Sequence, residues 1–345
     1  MGKSSGNLIQ ALLNLLASLF GGSKPATPPA PTTPPLPPNT TTEPAVVVTR
    51  RVMLLIYDPV VDPSTGLKLS KKQNWYSVEE LSATFIADIL DASGGLARYQ
   101  IIQRVELDEF PTKVDGFRYT AQSYLDAYHG TAPVHSPDTI DYAPLLQKFN
   151  ILQRVATNEI DEVWAFGFPH AGFYESTMGG LGAFWCNSEP LKGTANCPRR
   201  FIIMGFSLER GVGEMLEAFG HRAESIMEKV YSRMPSNANM WKKFTRYDKA
   251  FPGHAELGNI HYAPNSNSDY DWANQRMVAS HCDDWKNYPN FQGITRQVNC
   301  IEWGSGDMRA HHLWWLKHLP KIAGTTNGIA NNWWQYITDV NSVSV

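Results

Sequence analysis

The stretch VVTRRVMLLIYDP, residues 47–59, decides the fold class of this chain. From Val52 to Tyr57 every residue is aliphatic or aromatic, and the run stops at Asp58 and Pro59. A run without alternation between apolar and polar positions is typical of a strand that is buried on both faces. Such strands belong to parallel sheets that are covered by helices on both sides, so we expect an α/β fold.

The rest of the chain alternates predicted strands with predicted helices. From their apolar runs, further strands are predicted at residues 97–110, 159–169, 199–207 and 300–303. From apolar residues at helical spacing, helices are predicted at residues 77–92, 143–156, 208–232, 309–319 and 328–338. The sequence therefore predicts a mostly parallel sheet flanked by helices, with long irregular loops and C-terminal aromatic helices.

The N-terminal part of the chain differs in composition from the rest. Residues 8–20 carry an apolar stripe at helical spacing, and this segment is shorter than the ~20 residues that span a bilayer. Residues 1–23 are interpreted as a signal-like segment or as an amphipathic helix that docks on a membrane surface or a partner protein. Residues 24–45 are rich in Pro and Thr and predict an extended linker. Residues 46–345 then form a single α/β domain.

The charge balance argues against nucleic acid as a partner. The 345 residues include 30 basic and 33 acidic ones, for a formal net charge of -3, and they contain no block of basic residues. Binding through phosphate neutralisation needs such a block. Hydrophobic residues make up 43% of the chain, which is enough for a large folded core.

The four cysteines fall into two local pairs, and each pair spans a loop rich in Asn, Gly and Pro. Three connectivities are possible, and the local spacing favours disulfides Cys186–Cys197 and Cys282–Cys300. The alternative is four reduced, buried cysteines. Disulfides persist in oxidising compartments. Together with the linker, they predict an extracellular or cell-surface location.

One face of the long predicted helix carries a row of carboxylates around a histidine. Its members are spaced three and four residues apart and are Glu214, Glu217, His221, Glu224 and Glu228. His221 and Glu224 are about 4.5 Å apart along the helix axis, so they can share one divalent metal ion or form an acid–base pair. The alternative interpretation is a solvated acidic face with one histidine.

The irregular stretch 251–272 supplies the other ligands of this hypothesis. His261 and Asp269 complete a site that His221 and Glu224 begin. Zinc is the ion that we expect at such a mixture of imidazole and carboxylate ligands.

The same stretch contains a candidate calcium site. Oxygen-bearing side chains occupy every second position from Asn265 to Asp271, which resembles the opening of an EF-hand calcium loop. The glycine and the final glutamate of the EF-hand pattern are missing here. The alternative is a polar loop held by Asx turns.

Catalytic side chains are expected in the loop 169–187. Ligands of parallel sheets bind beyond the carboxyl ends of strands, and this glycine-rich loop follows one such end. We interpret Glu175, or Glu217 of the long helix, as the base that activates water, and His170 as a further catalytic residue. The alternative is a surface loop whose aromatic residues pack inward.

These residues lead to the hypothesis of a secreted or surface-tethered, metal-dependent hydrolase that acts on a surface polymer, either a peptide or a glycan. The first alternative is a metal-free glycoside hydrolase with two carboxylates from Glu175, Glu209, Glu224 and Glu302. The second is a non-enzymatic surface-binding or assembly module. The sequence lacks GxGxxG, Walker A, GxSxG and HExxH motifs, so it does not support a nucleotide-binding, serine hydrolase or zincin interpretation.

Overall fold

The computed structural model describes residues 44–344. The segment 1–23 and nearly all of the predicted linker 24–45 lie outside the described residues. No helix within the described range is both long and apolar enough to cross a membrane.

Strands and helices alternate along most of the described chain. The strands are β1 (Val48–Tyr57), β2 (Val60–Asp62), β3 (Leu67–Lys68), β4 (Ala97–Leu107), β5 (Glu162–Gly167), β6 (Ser176–Gly179), β7 (Phe201–Ser207), β8 (Val278–Ser280), β9 (Arg296–Val298), β10 (Lys321–Thr326) and β11 (Ile329–Asn332). The α-helices are α1 (Leu69–Lys72), α2 (Val78–Ala92), α3 (Ala121–Tyr128), α4 (Tyr142–Lys148), α5 (Ile151–Ala156), α6 (Val212–Tyr231), α7 (Met240–Phe244), α8 (Met308–Lys317) and α9 (Trp333–Thr338). Short 3-10 helices lie at Cys282–Asn287, Cys300–Trp303 and Val340–Ser342.

Five strands form the central sheet, in the order β4-β1-β5-β7-β6. The first four run parallel, and β6 pairs antiparallel with β7 at the edge. This confirms the predicted α/β fold with a mostly parallel sheet. The strand order reverses next to β1, because the chain goes from β1 to β4 on one side and then returns to β5 on the other. In such sheets ligands bind beyond the carboxyl ends of the strands near the reversal.

Strand β1 shows why the sheet is buried on both faces. Its even-numbered side chains, such as Leu54, pack with α2, α6, α8 and α9, and its odd-numbered ones, such as Leu55, pack with α1, α3, α4 and α5. Both side chains are at most 1% exposed. Successive strand residues point to opposite faces, so an uninterrupted apolar run fills two hydrophobic layers at once.

Three predicted elements differ from the observed ones. The helix predicted at residues 328–338 begins only at Trp333, because Ile329–Asn332 pair antiparallel with β10 as strand β11. Residues 300–303 form a 3-10 helix and not a fifth strand, because the Asn299 side chain accepts a hydrogen bond from the N–H of Ile301 and starts a helical turn. The helix predicted at 143–156 is divided into α4 and α5 at Asn150, whose φ of 51° is left-handed. Strand β6 lies in the stretch that is predicted as a loop.

The cysteine prediction is also corrected. All four cysteines are free and buried, so the two predicted disulfides are wrong in this structure. Cys186 and Cys197 belong to the core layers on opposite faces of the sheet. Cys282 follows β8 and Cys300 follows β9, and since these strands are antiparallel the two residues leave the hairpin at opposite ends. The extracellular interpretation therefore loses the support of the cysteines.

Candidate metal centre and adjoining cleft

The candidate site is built on helix α6, whose rotation is set by a buried ion pair. Arg222, with its side chain 1% exposed, donates to both carboxylate oxygens of Glu162 in β5, at 2.8 and 2.6 Å. Arg222 thus holds one side of α6 against the sheet. The neighbouring His221 faces another side, which it shares with Glu217 one helical turn earlier.

A glycine brings the loop that carries His261 onto α6. A Cβ atom on Gly220 would lie 2.3 Å from Cδ1 of Ile260, so any larger residue here would force the Ile260 side chain to shift. The backbone N–H of Ile260 then donates to Oε1 of Glu224 at 3.1 Å. His261, the next residue in the chain, is thereby delivered to the helix face that holds His221.

Glu217, His221 and His261 converge on one point. Each offers one potential ligand atom, and these three atoms all lie within 4.8 Å of one another. The two imidazole rings are 4.6 Å apart between centroids and nearly perpendicular, and Nε2 of His261 lies 3.0 Å from Oε1 of Glu217. Across residues 44–344 this is the one group of three or more His, Cys, Asp or Glu residues with such geometry.

Each histidine is held by a carboxylate at its Nδ1 atom. Nδ1 of His221 lies 2.9 Å from Glu224, and Nδ1 of His261 lies 3.1 Å from Asp269. Metal-binding histidines usually have the other ring nitrogen tied in this way, which directs Nε2 to the ion. Glu224 and Asp269, predicted as ligands, are thus placed to orient the histidines, while Glu217, predicted as a base, stands in the ligand set. Two imidazoles and one carboxylate also form open catalytic zinc sites.

The charges of this cluster favour a cation. Burial raises the pKa of Glu217, but hydrogen bonds from His261 and Tyr270 outweigh burial and lower it overall. The hydrogen bond with Glu217 raises the pKa of His261 against the effect of burial. Burial lowers the pKa of His221, yet its hydrogen bond with Glu224 and the surrounding carboxylates raise it overall. The carboxylates of Glu175, Glu217, Glu224 and Asp269 thus act on two imidazoles, and a divalent ion would offset part of their charge.

A cleft of about 410 Å³ opens at the carboxyl ends of β5 and β7 and runs along the first turns of α6. Its charged and titratable lining residues are Asp138, His170, Glu175, Glu209, Arg210 and Glu214. Its volume lies in the range of small-molecule sites. Four carboxylates against one arginine make the cleft acidic.

Glu175 lines this cleft and lies within electrostatic range of the candidate metal ligands. Its charge contributes to the raised pKa values of His221 and Tyr270. Its position is well defined: the N–H of Gly205 donates to its backbone oxygen at 3.1 Å, and Asn187 donates to its side chain at 2.6 Å. A Cβ atom on Gly205 would come within 2.4 Å of the carbonyl oxygen of Tyr174, so β7 needs a glycine here for the backbone of residues 174–175 to pass this close.

His170 lies in the same cleft but belongs to a different cluster. Its carbonyl oxygen accepts a hydrogen bond from the buried ammonium of Lys113 at 2.6 Å, and its Nδ1 lies 3.6 Å from Asp138. Lys113 also binds Asp138, so the ammonium organises this wall of the cleft. Within the described residues 44–344, His170 makes no hydrogen bond to Glu217, His221 or His261.

Tyr270 is a member of the cluster that the sequence interpretation misses. Its hydroxyl lies 3.1 Å from Nε2 of His261, the atom that faces Glu217. Its φ of 56° is left-handed, which is rare for a bulky side chain. The sequence signal is its place between Asp269 and Asp271 in the loop 251–272.

The side chains of the predicted calcium loop make hydrogen bonds and ion pairs with neighbouring groups of the protein. Asn265 is fully buried, and its amide donates to the carbonyl oxygens of Asn274 and Arg276. Asp271 accepts hydrogen bonds within the same loop, and Asp269 turns to His261. The segment is a polar loop closed by its own hydrogen bonds, which favours the alternative of a loop held by Asx turns.

The carboxylates of the glycosidase alternative are separated by the fold. Glu224 holds His221, and Glu302 is bound by the guanidinium of Arg296 and borders a different cavity. Only Glu175 and Glu209 line the same cleft.

No family model, curated protein or solved structure matches this chain. Its function must therefore be argued from its own residues.

Proposed function

We propose that this protein is a metal-dependent hydrolase whose ion, zinc, is bound by Glu217, His221 and His261. The observation that carries the proposal is the convergence of these three side chains within 4.8 Å. The carboxylates behind both histidines and the adjoining cleft support it. Three protein ligands leave a coordination position for water or substrate, as catalytic zinc sites require.

In this proposal Glu175, which lines the adjoining cleft, acts as the base. A zinc ion at this site would polarise the substrate and make a bound water molecule more acidic. Glu175 would take a proton from that water as its oxygen forms a bond to the substrate carbon. The bond from that carbon to the leaving nitrogen or oxygen breaks, and the leaving group receives the proton. Glu217, which the sequence also offers as a base, is engaged as a ligand in this proposal.

The substrate that we propose is a peptide or a glycan without strong negative charge. The cleft beside Glu175 carries four carboxylates and one arginine, so it would repel an acidic polymer. A surface or extracellular location remains part of the proposal and rests on the predicted linker 24–45 and the segment 1–23.

Zinc binding by purified protein tests the metal site directly. We expect isothermal titration calorimetry to show one zinc ion bound per chain. The variants His221→Ala and His261→Ala should each lose at least about 100-fold in zinc affinity, because each removes one of the three proposed ligands. His254→Ala is the matched control, since His254 is exposed in the same loop region and outside the cluster. Equal affinity in all four proteins would exclude this site.

Hydrolysis is tested with the zinc-loaded protein. A set of neutral and basic peptides and a set of neutral oligosaccharides would be incubated with the protein and analysed by mass spectrometry. We expect cleavage in one set, with Glu175→Gln reducing kcat by about 10²–10⁴-fold while zinc affinity is kept. If zinc binds and neither set is cleaved, the site is structural. If chelation leaves cleavage intact, a metal-free mechanism using Glu175 and Glu209 is favoured.

A further inference from the structure

The hydroxyl of Tyr270 lies beside the ligand atoms of the candidate metal site. It is 3.1 Å from Nε2 of His261, the same atom that lies 3.0 Å from Oε1 of Glu217. An ion bound by His261 would be about 2 Å from the same nitrogen. The phenol oxygen is therefore next to the position of the ion and to whatever the ion binds on its open side.

Packing alone does not account for this placement. The Tyr270 side chain is 50% exposed, so burial contributes little to holding it. Its ring lies against His261, with centroids 4.4 Å apart, and meets Trp272 edge to face at 5.2 Å. Its backbone N–H donates to the carbonyl oxygen of His261 at 3.1 Å. The loop thus holds a half-exposed phenol over the metal cluster, in a left-handed backbone conformation that bulky residues rarely adopt.

We propose that Tyr270 is a catalytic residue of the proposed hydrolase, whose O–H donates a hydrogen bond to the substrate oxygen that gains negative charge when water attacks. This inference rests on the proposed function. Glu175 takes one proton from the water molecule, the bond from the water oxygen to the substrate carbon forms, and the electron pair of the attacked bond moves to the substrate oxygen. The O–H bond of Tyr270 stays intact. A donor that is already in position before the charge develops contributes strongly to catalysis.

The competing role for the phenol is that of a fourth ligand. A ligand would strengthen metal binding, whereas a hydrogen-bond donor to the substrate leaves metal affinity nearly unchanged. Tyr270→Phe removes only the hydroxyl and keeps the ring on His261 and Trp272, so it separates these roles. Tyr262→Phe is the matched control, because Tyr262 lies in the same loop, stacked on Tyr247 and outside the cluster.

Two measurements on the full-length, zinc-loaded chain decide between them. The first is zinc affinity, which we expect to change less than threefold in Tyr270→Phe. The second is the affinity for acetohydroxamate, an oxygen ligand of catalytic zinc ions, which we expect to fall about tenfold in Tyr270→Phe and to stay unchanged in Tyr262→Phe. Once the hydrolysis experiment has identified a substrate, kcat of Tyr270→Phe for that substrate should fall by about 10²–10³-fold with little change in KM.

The outcomes separate this inference from the proposed function. If wild-type protein binds no zinc, the proposed function fails first, and this inference falls with it. If zinc binds and Tyr270→Phe weakens zinc itself more than tenfold, Tyr270 is a ligand and the inference is overturned. If zinc binds and acetohydroxamate affinity is the same in both variants and wild type, Tyr270 has no role toward bound oxygen atoms, and the inference is overturned while the metal site stands.

Discussion

At the scale of single residues, the candidate site depends on two carboxylates that contact imidazole Nδ1 atoms. Glu224 holds His221 at 2.9 Å and Asp269 holds His261 at 3.1 Å. Such contacts set which nitrogen is free for an ion and how the ring is oriented. Glu224 does more than Asp269, because its other oxygen accepts the N–H of Ile260 and so joins the helix to the loop.

We therefore expect Glu224→Gln to weaken zinc binding by about 10–100-fold. Glutamine keeps one acceptor oxygen, but it lacks the charge that orients His221 and cannot accept from both His221 and Ile260. Isothermal titration calorimetry with zinc measures the effect. Glu228→Gln, an exposed carboxylate one turn further along α6, is the control. Unchanged affinity in Glu224→Gln would show that the imidazole needs no such support.

At the scale of elements, the site is a contact between helix α6 and the loop that follows α7. Gly220 makes this contact possible, since Ile260 occupies the space of a Cβ atom at that position. Glycine in the middle of a helix is less favourable than alanine by about 1 kcal/mol, so the helix itself gains nothing from it. Its value lies in the position of the loop and of His261.

Gly220→Ala is expected to keep or increase the helicity of α6 and yet to weaken zinc binding at least tenfold. The new methyl group would lie 2.3 Å from Cδ1 of Ile260 and would push the loop and His261 outward. Circular dichroism and zinc titration measure the two effects. Gly213→Ala is the control on the same helix, because its Cβ would meet the flexible Met308 side chain at 3.2 Å. Full zinc affinity in Gly220→Ala would mean that the loop adjusts without moving His261.

At the scale of the whole molecule, buried neutral histidines couple stability to pH. Burial lowers the pKa of His312 and of His318 to about 4, and it lowers that of His311 well below its usual range. In the unfolded chain these groups titrate near 6.5. The folded state thus excludes protons that the unfolded state binds. Their contribution to stability is complete above pH 6.5 and is lost as the pH falls toward 4.

His318 gives a test that is independent of the metal site. Between pH 7 and pH 5 its contribution should fall by about 2 kcal/mol, from 1.36 kcal/mol per pH unit below 6.5. We expect the free energy of unfolding of His318→Gln, measured by urea in the presence of chelator, to fall by about 2 kcal/mol less than that of wild type over this interval. His254→Gln, at an exposed position, should behave like wild type. An equal loss in His318→Gln and wild type would show that His318 is protonated in the folded state.

Local pattern was enough to predict the layers of the fold. The apolar run of β1 and the alternation of strands and helices predicted a parallel sheet covered on both faces. This was possible because the periodicity of apolar residues, which indicates burial, is a property of neighbouring positions in the sequence. The same holds for the row on α6, where helical spacing alone brings Glu217, His221 and Glu224 to one side. Strand β6 was beyond such reasoning, since its pairing with β7 depends on close packing at glycines and not on an apolar run.

What the sequence determined by itself is therefore the α/β class, the faces of α6 and the residue types that a metal or a base requires. The tertiary structure alone decided which of them meet. Contact between Gly220 and Ile260 delivers His261, the path past Gly205 places Glu175, and a left-handed turn aims Tyr270 at His261. The opposite faces of the sheet keep Cys186 from Cys197. Roles within the site follow from distances between residues far apart in the chain, and no local pattern records those distances.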